Sequence, residues 1–304
     1  MDIDFSSAAA LKAYSSLPKM TGRDAREMAQ SPAEAKEVLE EKGLWLDFIK
    51  EYQGNLDLFA EYHRKGCQVI GFYDELYPEN LRSISSPPNL LYLEGNAALL
   101  NNKSIAVVGT RQPTAFGETF AKVISESLIE AGLVTVSGLA LGVDGICHRV
   151  SVENGGQTIA ILGSGVDCLT PTSHKLLAKR ILEKGLIFSE YQLGTSTTSY
   201  QLVARDRLQS GLAQALVVCQ SPISSGTMHT VRFAAEQGKP IYCPVPHSKN
   251  SQSEGIRILL EVPASQLKDR LPAFQKSSPR LQLGDEPLAK PITRDNLSQV
   301  INSL

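Results

Sequence analysis

Between residues 104 and 243 short apolar runs alternate with helical patterns, and this alternation constrains the fold more than any other feature of the chain. The runs are Ser-Ile-Ala-Val-Val at 104–108, Leu-Val-Thr-Val at 133–136, Thr-Ile-Ala-Ile-Leu at 158–162, Leu-Ile-Phe-Ser at 186–189, Ala-Leu-Val-Val-Cys at 215–219 and Pro-Ile-Tyr-Cys at 240–243. Helical patterns fill 116–131, 143–153, 173–184, 201–212 and 227–237. Such repetition predicts βαβ units, and hence an α/β fold with a doubly wound, mostly parallel sheet. Unbroken apolar runs fit strands covered on both faces.

The flanks read differently. Residues 1–66 predict a small helical module: Leu11, Tyr14 and Leu17 recur at helical spacing, and Ser31-Pro32-Ala33-Glu34 has the form of a capped helix start. Val38, Leu39, Trp45, Phe48, Ile49, Leu56, Phe59 and Tyr62 form its apolar stripe, with Trp45 expected as a core anchor. Residues 67–103 read as a lead-in, with short strands at 68–72 and 90–93 separated by turn-rich Pro78 and Pro87-Pro88. The lead-in is expected to pack on the α/β unit, making one domain of 67–264. Residues 265–304 are polar and carry Pro272, Pro279, Pro287 and Pro291. They predict a loosely packed or disordered tail, with one short terminal helix capped near Thr293-Arg294-Asp295-Asn296.

The chain of 304 residues carries 30 Lys+Arg against 32 Asp+Glu, so no global charge marks a nucleic-acid binder. Cys67, Cys147, Cys168, Cys219 and Cys243 form no CxxC pair and are expected as reduced core or near-core thiols of a cytoplasmic protein. The opening Met1-Asp2-Ile3-Asp4-Phe5 has acids where a signal peptide needs bases, and no apolar run reaches membrane-spanning length.

Small and polar residues cluster just past the expected strands. Gly109-Thr110-Arg111 follows the first, with Gly117 in the next helix; Ser137-Gly138-Leu139-Ala140-Leu141-Gly142-Val143-Asp144 follows the second. Gly163-Ser164-Gly165 follows the third, Glu190-Tyr191 the fourth, and Ser221-Pro222-Ile223-Ser224-Ser225-Gly226-Thr227 the fifth. In an open α/β sheet these turns meet at the carboxyl edge, where ligands bind. Backbone N–H groups and hydroxyls cradle phosphate there, and an arginine adds bidentate recognition. Tight βα turns also favour Gly and Ser for their own geometry. Neither GxGxxG nor GxxxxGK[ST] is present, so a dinucleotide cofactor and P-loop hydrolysis are not indicated. Asp144 and His148 share a helical face and read as a satisfied structural pair; His174, His229 and His247 show no metal-ligand spacing.

Taken in order, Val-Gly-Thr-Arg at 108–111, Ser-Gly-Leu-Ala-x-Gly-x-Asp at 137–144 with His148, Gly-Ser-Gly at 163–165, Ser-Glu-Tyr at 189–191, Arg-x-Arg at 205–207 and Ser-Gly-Thr at 225–227 resemble the DprA/Smf family of DNA-processing proteins. The resemblance covers about residues 68–246. It implies an extended Rossmann-like domain that binds single-stranded DNA without catalysis and, in the competence proteins, loads a RecA-type recombinase. It also implies a homodimer, no metal and no cofactor. By the same resemblance Gly109, Thr110, Arg111, Ser137, Gly138, Gly163 and Ser164 line a phosphate pocket, and Arg205 and Arg207 flank the strand.

The chain departs from the family pattern at Leu202-Val203-Ala204-Arg205-Asp206-Arg207, where Leu202 replaces a stacking aromatic and Asp206 an amide. Residues 104–246 hold 11 basic and 10 acidic side chains, which leaves little charge to track a phosphate backbone. A second reading follows: a repurposed nucleotide sensor or antitoxin, paired with a toxin in phage defence. A third, nucleotide N-glycosidase activity, meets Thr230 where the related enzymes' pattern has a catalytic carboxylate.

Overall fold

In the computed structural model, which describes residues 3–293 and 295–303, nine strands form one sheet. The acids read at Met1-Asp2, the capping stretch at Arg294 and the end at Leu304 fall partly outside those residues. The strands are β1 (Gln68–Gly71), β2 (Leu90–Gly95), β3 (Ser104–Val108), β4 (Val134–Ser137), β5 (Thr158–Leu162), β6 (Leu186–Ser189), β7 (Ala215–Val218), β8 (Ile241–Pro244) and β9 (Lys290–Ile292). Their order is β1-β2-β6-β5-β4-β3-β7-β8-β9. All neighbours from β6 to β9 run parallel, while β1 and β2 form an antiparallel edge that joins β6. The expected doubly wound, mostly parallel sheet is therefore present, with β4 and β8 each lying one residue later than expected and β7 ending one residue earlier.

Every residue of β3 is buried, and its side chains alternate between two cores. Ile105 and Val107 pack with Ala121, Ile124 and Cys147 of the helices Ala115–Glu130 and Val143–Glu153. Ala106 and Val108 pack on the opposite face with Met228, Val231 and Phe274. Each such aliphatic side chain removed from water is worth about 1.5–3 kcal/mol, which is why an unbroken apolar run specifies a central strand.

The helices Ala8–Ser16, Gly22–Gln30, Pro32–Glu41 and Trp45–Arg64 make the N-terminal module. Thr21 and Asp24 close a capping box at the second helix, and Pro32 begins the third. Phe48, rather than Trp45, anchors this core: it is fully buried and stacks on Tyr14 at 4.7 Å, while Trp45 is half-buried at the start of its helix. In the lead-in, Tyr77, Leu81 and Ile84 are buried against Val134, Ile159 and Leu212.

The C-terminal segment overturns the expectation of a loose tail. Leu267, Leu271 and Phe274 insert into the core beside β8, Ile292 and Ile301 into the opposite one. Residues 290–292 add strand β9 to the sheet, with Pro291 on its outer edge where a missing N–H does no harm. A few widely spaced apolar residues suffice here because they cover the end of a sheet that already exists.

The five cysteines are free thiols; Cys168 is half-buried and the others buried. No described helix is long and apolar enough to cross a membrane.

Candidate functional site

The chain runs outward from β3 through β4, β5 and β6, then returns to β7 on the other side of β3. Strand order thus reverses between β3 and β7, the place where open α/β sheets leave a crevice beyond the strand ends. A cleft of about 670 Å³ lies there, lined by the turns after β3, β4 and β7 and by the helix Ser199–Leu212.

Backbone bonds tie the turns together. Thr110 N–H donates to Gln220 O at 2.8 Å, and Val143 N–H to Thr110 O at 3.2 Å. Gly142 has φ +73°, and a Cβ there would lie 2.3 Å from Thr110 O, so the two loops approach this closely only over a glycine. Gln220 Oε1 accepts the Thr114 N–H at 2.9 Å, while its Nε2 donates to Thr114 Oγ1 and Ser253 Oγ. Thr110 Oγ1 donates to Gln252 Oε1 at 3.1 Å.

Of the residues singled out from the sequence, Gly109, Thr110, Arg111, Ala140, Asp144, Arg205, Ser225, Gly226 and Thr227 line the cleft. Arg111 is exposed and makes no hydrogen bond or ion pair among the described residues. Ser225, Gly226 and Thr227 line the same cleft and lead into the helix Thr227–Glu236, whose positive dipole end favours an anion; the Thr227 N–H is itself held by Ser225 Oγ at 3.2 Å.

The others support the cleft from behind. Ser137 Oγ donates to Val107 O at 2.7 Å, and Ser164 Oγ to Cys168 O at 2.8 Å. Gly117 packs on Gln220, Gly138 on Arg205 and Gln209, and Gly163 on Leu202.

The two arginines expected beside a DNA strand are engaged elsewhere. Arg205 is 5% exposed; its Nη1 donates to Gly138 O at 3.0 Å and to Ile161 O, and its Nε faces Asp206 Oδ1 at 3.3 Å. With its amide oxygen toward the guanidinium, Gln209 accepts from Arg205 Nε at 2.8 Å. Arg207 points away from the cleft, bidentate on Glu190 at 2.7 and 2.6 Å and donating to Ser86 O. Alternate rows of one helix face opposite sides, and that places neighbours 205 and 207 in unlike surroundings.

Asp144 and His148 are each satisfied, but not by each other. Asp144 Oδ2 accepts the Gly138 N–H at 3.1 Å. His148 Nε2 accepts the Leu139 N–H at 3.3 Å, and its Nδ1 donates to Thr158 Oγ1 at 2.8 Å. Burial holds the imidazole down at about 3, and pushes the Asp206 carboxyl up to about 7 despite Arg205 beside it.

Leu202, Val203, Leu141 and Pro222 give the cleft an apolar wall, and Asp206, Gln209, Thr230 and Gln252 complete its polar lining. Sequence reasoning did not place Gln209 or Gln252 here. Gln209 follows Asp206 at helical i+3 spacing, a signal that could have found it; Gln252 reaches the cleft from a loop with no such pattern.

The family model described as DNA recombination-mediator protein A matches residues 68–275. The chain is 34% identical over 188 residues to Protein Smf of Escherichia coli, matching 62% of this chain and 50% of that protein. It is 33% identical over 192 residues to DNA processing protein DprA of Bacillus subtilis, covering 63% and 64% of the two chains. Among solved structures, DprA of Streptococcus pneumoniae superposes with a TM-score of 0.69 at 27% identity, over 86% of this chain and 93% of that one. DprA of Helicobacter pylori, described for its single-stranded DNA binding mode, gives 0.61 at 28% identity, over 78% and 95%. The matched segment spans about half of the E. coli and Synechocystis Smf proteins. With a model matching more than half of its length, the chain belongs to the DNA recombination-mediator protein A family.

Proposed function

We propose that this protein binds single-stranded DNA without catalysis, seating a backbone phosphate on the Gly109–Arg111 turn and the Ser225–Thr227 helix start. The observation that carries this reading is the exposed Arg111, unpaired among the described residues, which lines the cleft at the strand-order reversal together with a helix N-terminus. Thr230 in the lining offers a hydroxyl where acid–base chemistry would need a carboxylate, and Asp144 is held by the Gly138 N–H. Loading of a RecA-type recombinase, self-association and action in the cytoplasm extend this reading by family resemblance. The test is titration of a thymidine oligonucleotide at several salt concentrations. Arg111→Ala is expected to weaken binding at least about tenfold and flatten the salt slope by about one contact. Unchanged binding would count against the proposal.

One observation favours a second reading. With Arg205 and Arg207 both engaged inside the protein, Arg111 is the one uncommitted cation lining the cleft among the described residues, which suits a nucleotide-sized ligand better than a long strand. A nucleotide-sensing or antitoxin role in phage defence, with a toxin as partner, follows from that reading. Thermal stabilisation by a mononucleotide, with no oligonucleotide binding, selects it.

A further inference from the structure

We infer that Asp206 sets the charge of the cleft, so that an anionic group seats on the Gly109–Arg111 turn only together with a proton on the Asp206 carboxyl. The inference rests on reading the cleft as a phosphodiester site.

The geometry isolates this carboxyl. Asp206 lines the cleft from the helix Ser199–Leu212 with its side chain 12% exposed, and its one side-chain hydrogen bond among the described residues is with Arg205. Arg205 cannot turn to a ligand, because its nitrogens also serve Gly138 O, Ile161 O and Gln209. The charged groups that face Asp206 are Arg205 on its own helix, Asp144 on the helix Val143–Glu153 and Arg111 on the turn after β3. The helix Thr227–Glu236 contributes the neutral Thr230.

Two guanidiniums therefore meet two carboxylates, and the cleft is neutral when all four are ionised. A phosphodiester adds one negative charge near the buried Asp206 carboxyl, where like charges repel more strongly than in water. Of the two carboxylates, Asp144 has an oxygen anchored by a backbone N–H, whereas Asp206 depends on a guanidinium that several acceptors share. Asp206 is thus the group that gives way: it takes up one proton from solvent as the anion enters, and the cleft charge goes from zero to plus one before the ligand cancels it. The titration range follows from burial, which already raises this carboxyl to about 7.

The test is calorimetric titration of the full chain with an unlabelled thymidine oligonucleotide between pH 5.5 and 8.5 at constant ionic strength. The oligonucleotide keeps one charge per phosphate across that range. Wild-type affinity is expected to fall about thirtyfold from the acid to the alkaline end, since binding that requires the protonated carboxyl weakens tenfold per pH unit once pH exceeds its value of about 7. Buffers of different ionisation heat should report proton uptake near neutrality. Asp206→Asn is expected to bind with the wild-type acid affinity at every pH and to take up no proton. Asp206→Ser carries the same expectation should the amide variant fail to fold, as circular dichroism would show. A flat wild-type profile, or a variant that keeps the wild-type slope, overturns the inference and leaves the phosphodiester reading standing. Absence of wild-type binding at every pH overturns both.

Discussion

His148 Nε2 accepts the backbone N–H of Leu139 at 3.3 Å, and Leu139 sits in the left-handed region at φ +57°. A leucine there is strained by roughly 1–2 kcal/mol, so its neighbours must hold it. His174 Nδ1 completes the clamp by donating to Leu139 O at 2.9 Å. Beyond His148 the chain of bonds continues through Thr158 Oγ1 to Thr135 O, which fixes the imidazole as neutral with its proton on Nδ1. The loop that carries Ala140 and Leu141 into the cleft is therefore shaped by histidines that do not themselves line it.

This clamp predicts acid sensitivity. His148 titrates at about 3 in the fold against an ordinary value near 6.5, so the unfolded chain binds a proton that the folded one refuses. Its contribution is present above about pH 6.5 and is lost as pH falls toward 3. Urea unfolding at stepped pH should show this loss, on the order of a few kcal/mol, and His148→Gln should shrink the acid slope. An unchanged slope in that variant would assign the effect to other groups.

Asp206 works in the opposite direction. Its folded value, about 7, lies above the ordinary carboxyl value of 3.8, so its contribution is present below about pH 4 and is lost as pH rises through 7. At pH 8 Asp206→Asn should therefore be more stable than wild type, by on the order of 1–3 kcal/mol, and the difference should close as pH falls toward 4. Melting curves at pH 5 and 8 check both statements.

Arg205 and Arg207 should separate cleanly on substitution. Arg205→Met leaves a buried carboxyl and two carbonyls without their donor, and should destabilise the fold by about 3–5 kcal/mol. Arg207→Met removes the pair with Glu190 outside the cleft and should lower stability while sparing ligand affinity per folded molecule. A selective loss of affinity at Arg207, with stability intact, would place the ligand's path along Glu190 instead.

The C-terminal segment can be tested through one side chain. Phe274 is fully buried in the core that it shares with Val108 and Met228, so Phe274→Ala should cost about 3–5 kcal/mol. A cost below about 1 kcal/mol would mean that residues after 264 contribute little to the fold.

Gly142→Ala tests the contact between the two cleft loops. The added methyl would meet Thr110 O at 2.3 Å on a backbone at φ +73°, and the expected result is a loss of about 2 kcal/mol or more together with weakened ligand binding. Binding that survives intact would show that the loops can part without harm to the site.

Much of this molecule was legible in one dimension because its signals are local. Apolar runs such as Ile105–Val108 specify buried strands by themselves, and helical spacing with capping residues specifies helices such as Gly22–Gln30. The turns after the strands converge because a parallel sheet brings its carboxyl ends together, so Gly109–Arg111 and Ser225–Thr227 could be assigned to one edge without coordinates. Tertiary structure alone decided what depends on distant partners. Arg205 is buried because two carbonyls from other strand ends surround it, and Arg207 is neutralised because Glu190 lies beside it; neither fact has a sequence period. Phe274 and Ile292 are core residues only because the end of a finished sheet is there to receive them. Local propensity and pattern thus determined the elements and their common edge, whereas the charge of the cleft was decided by which long-range contacts each arginine and carboxylate makes.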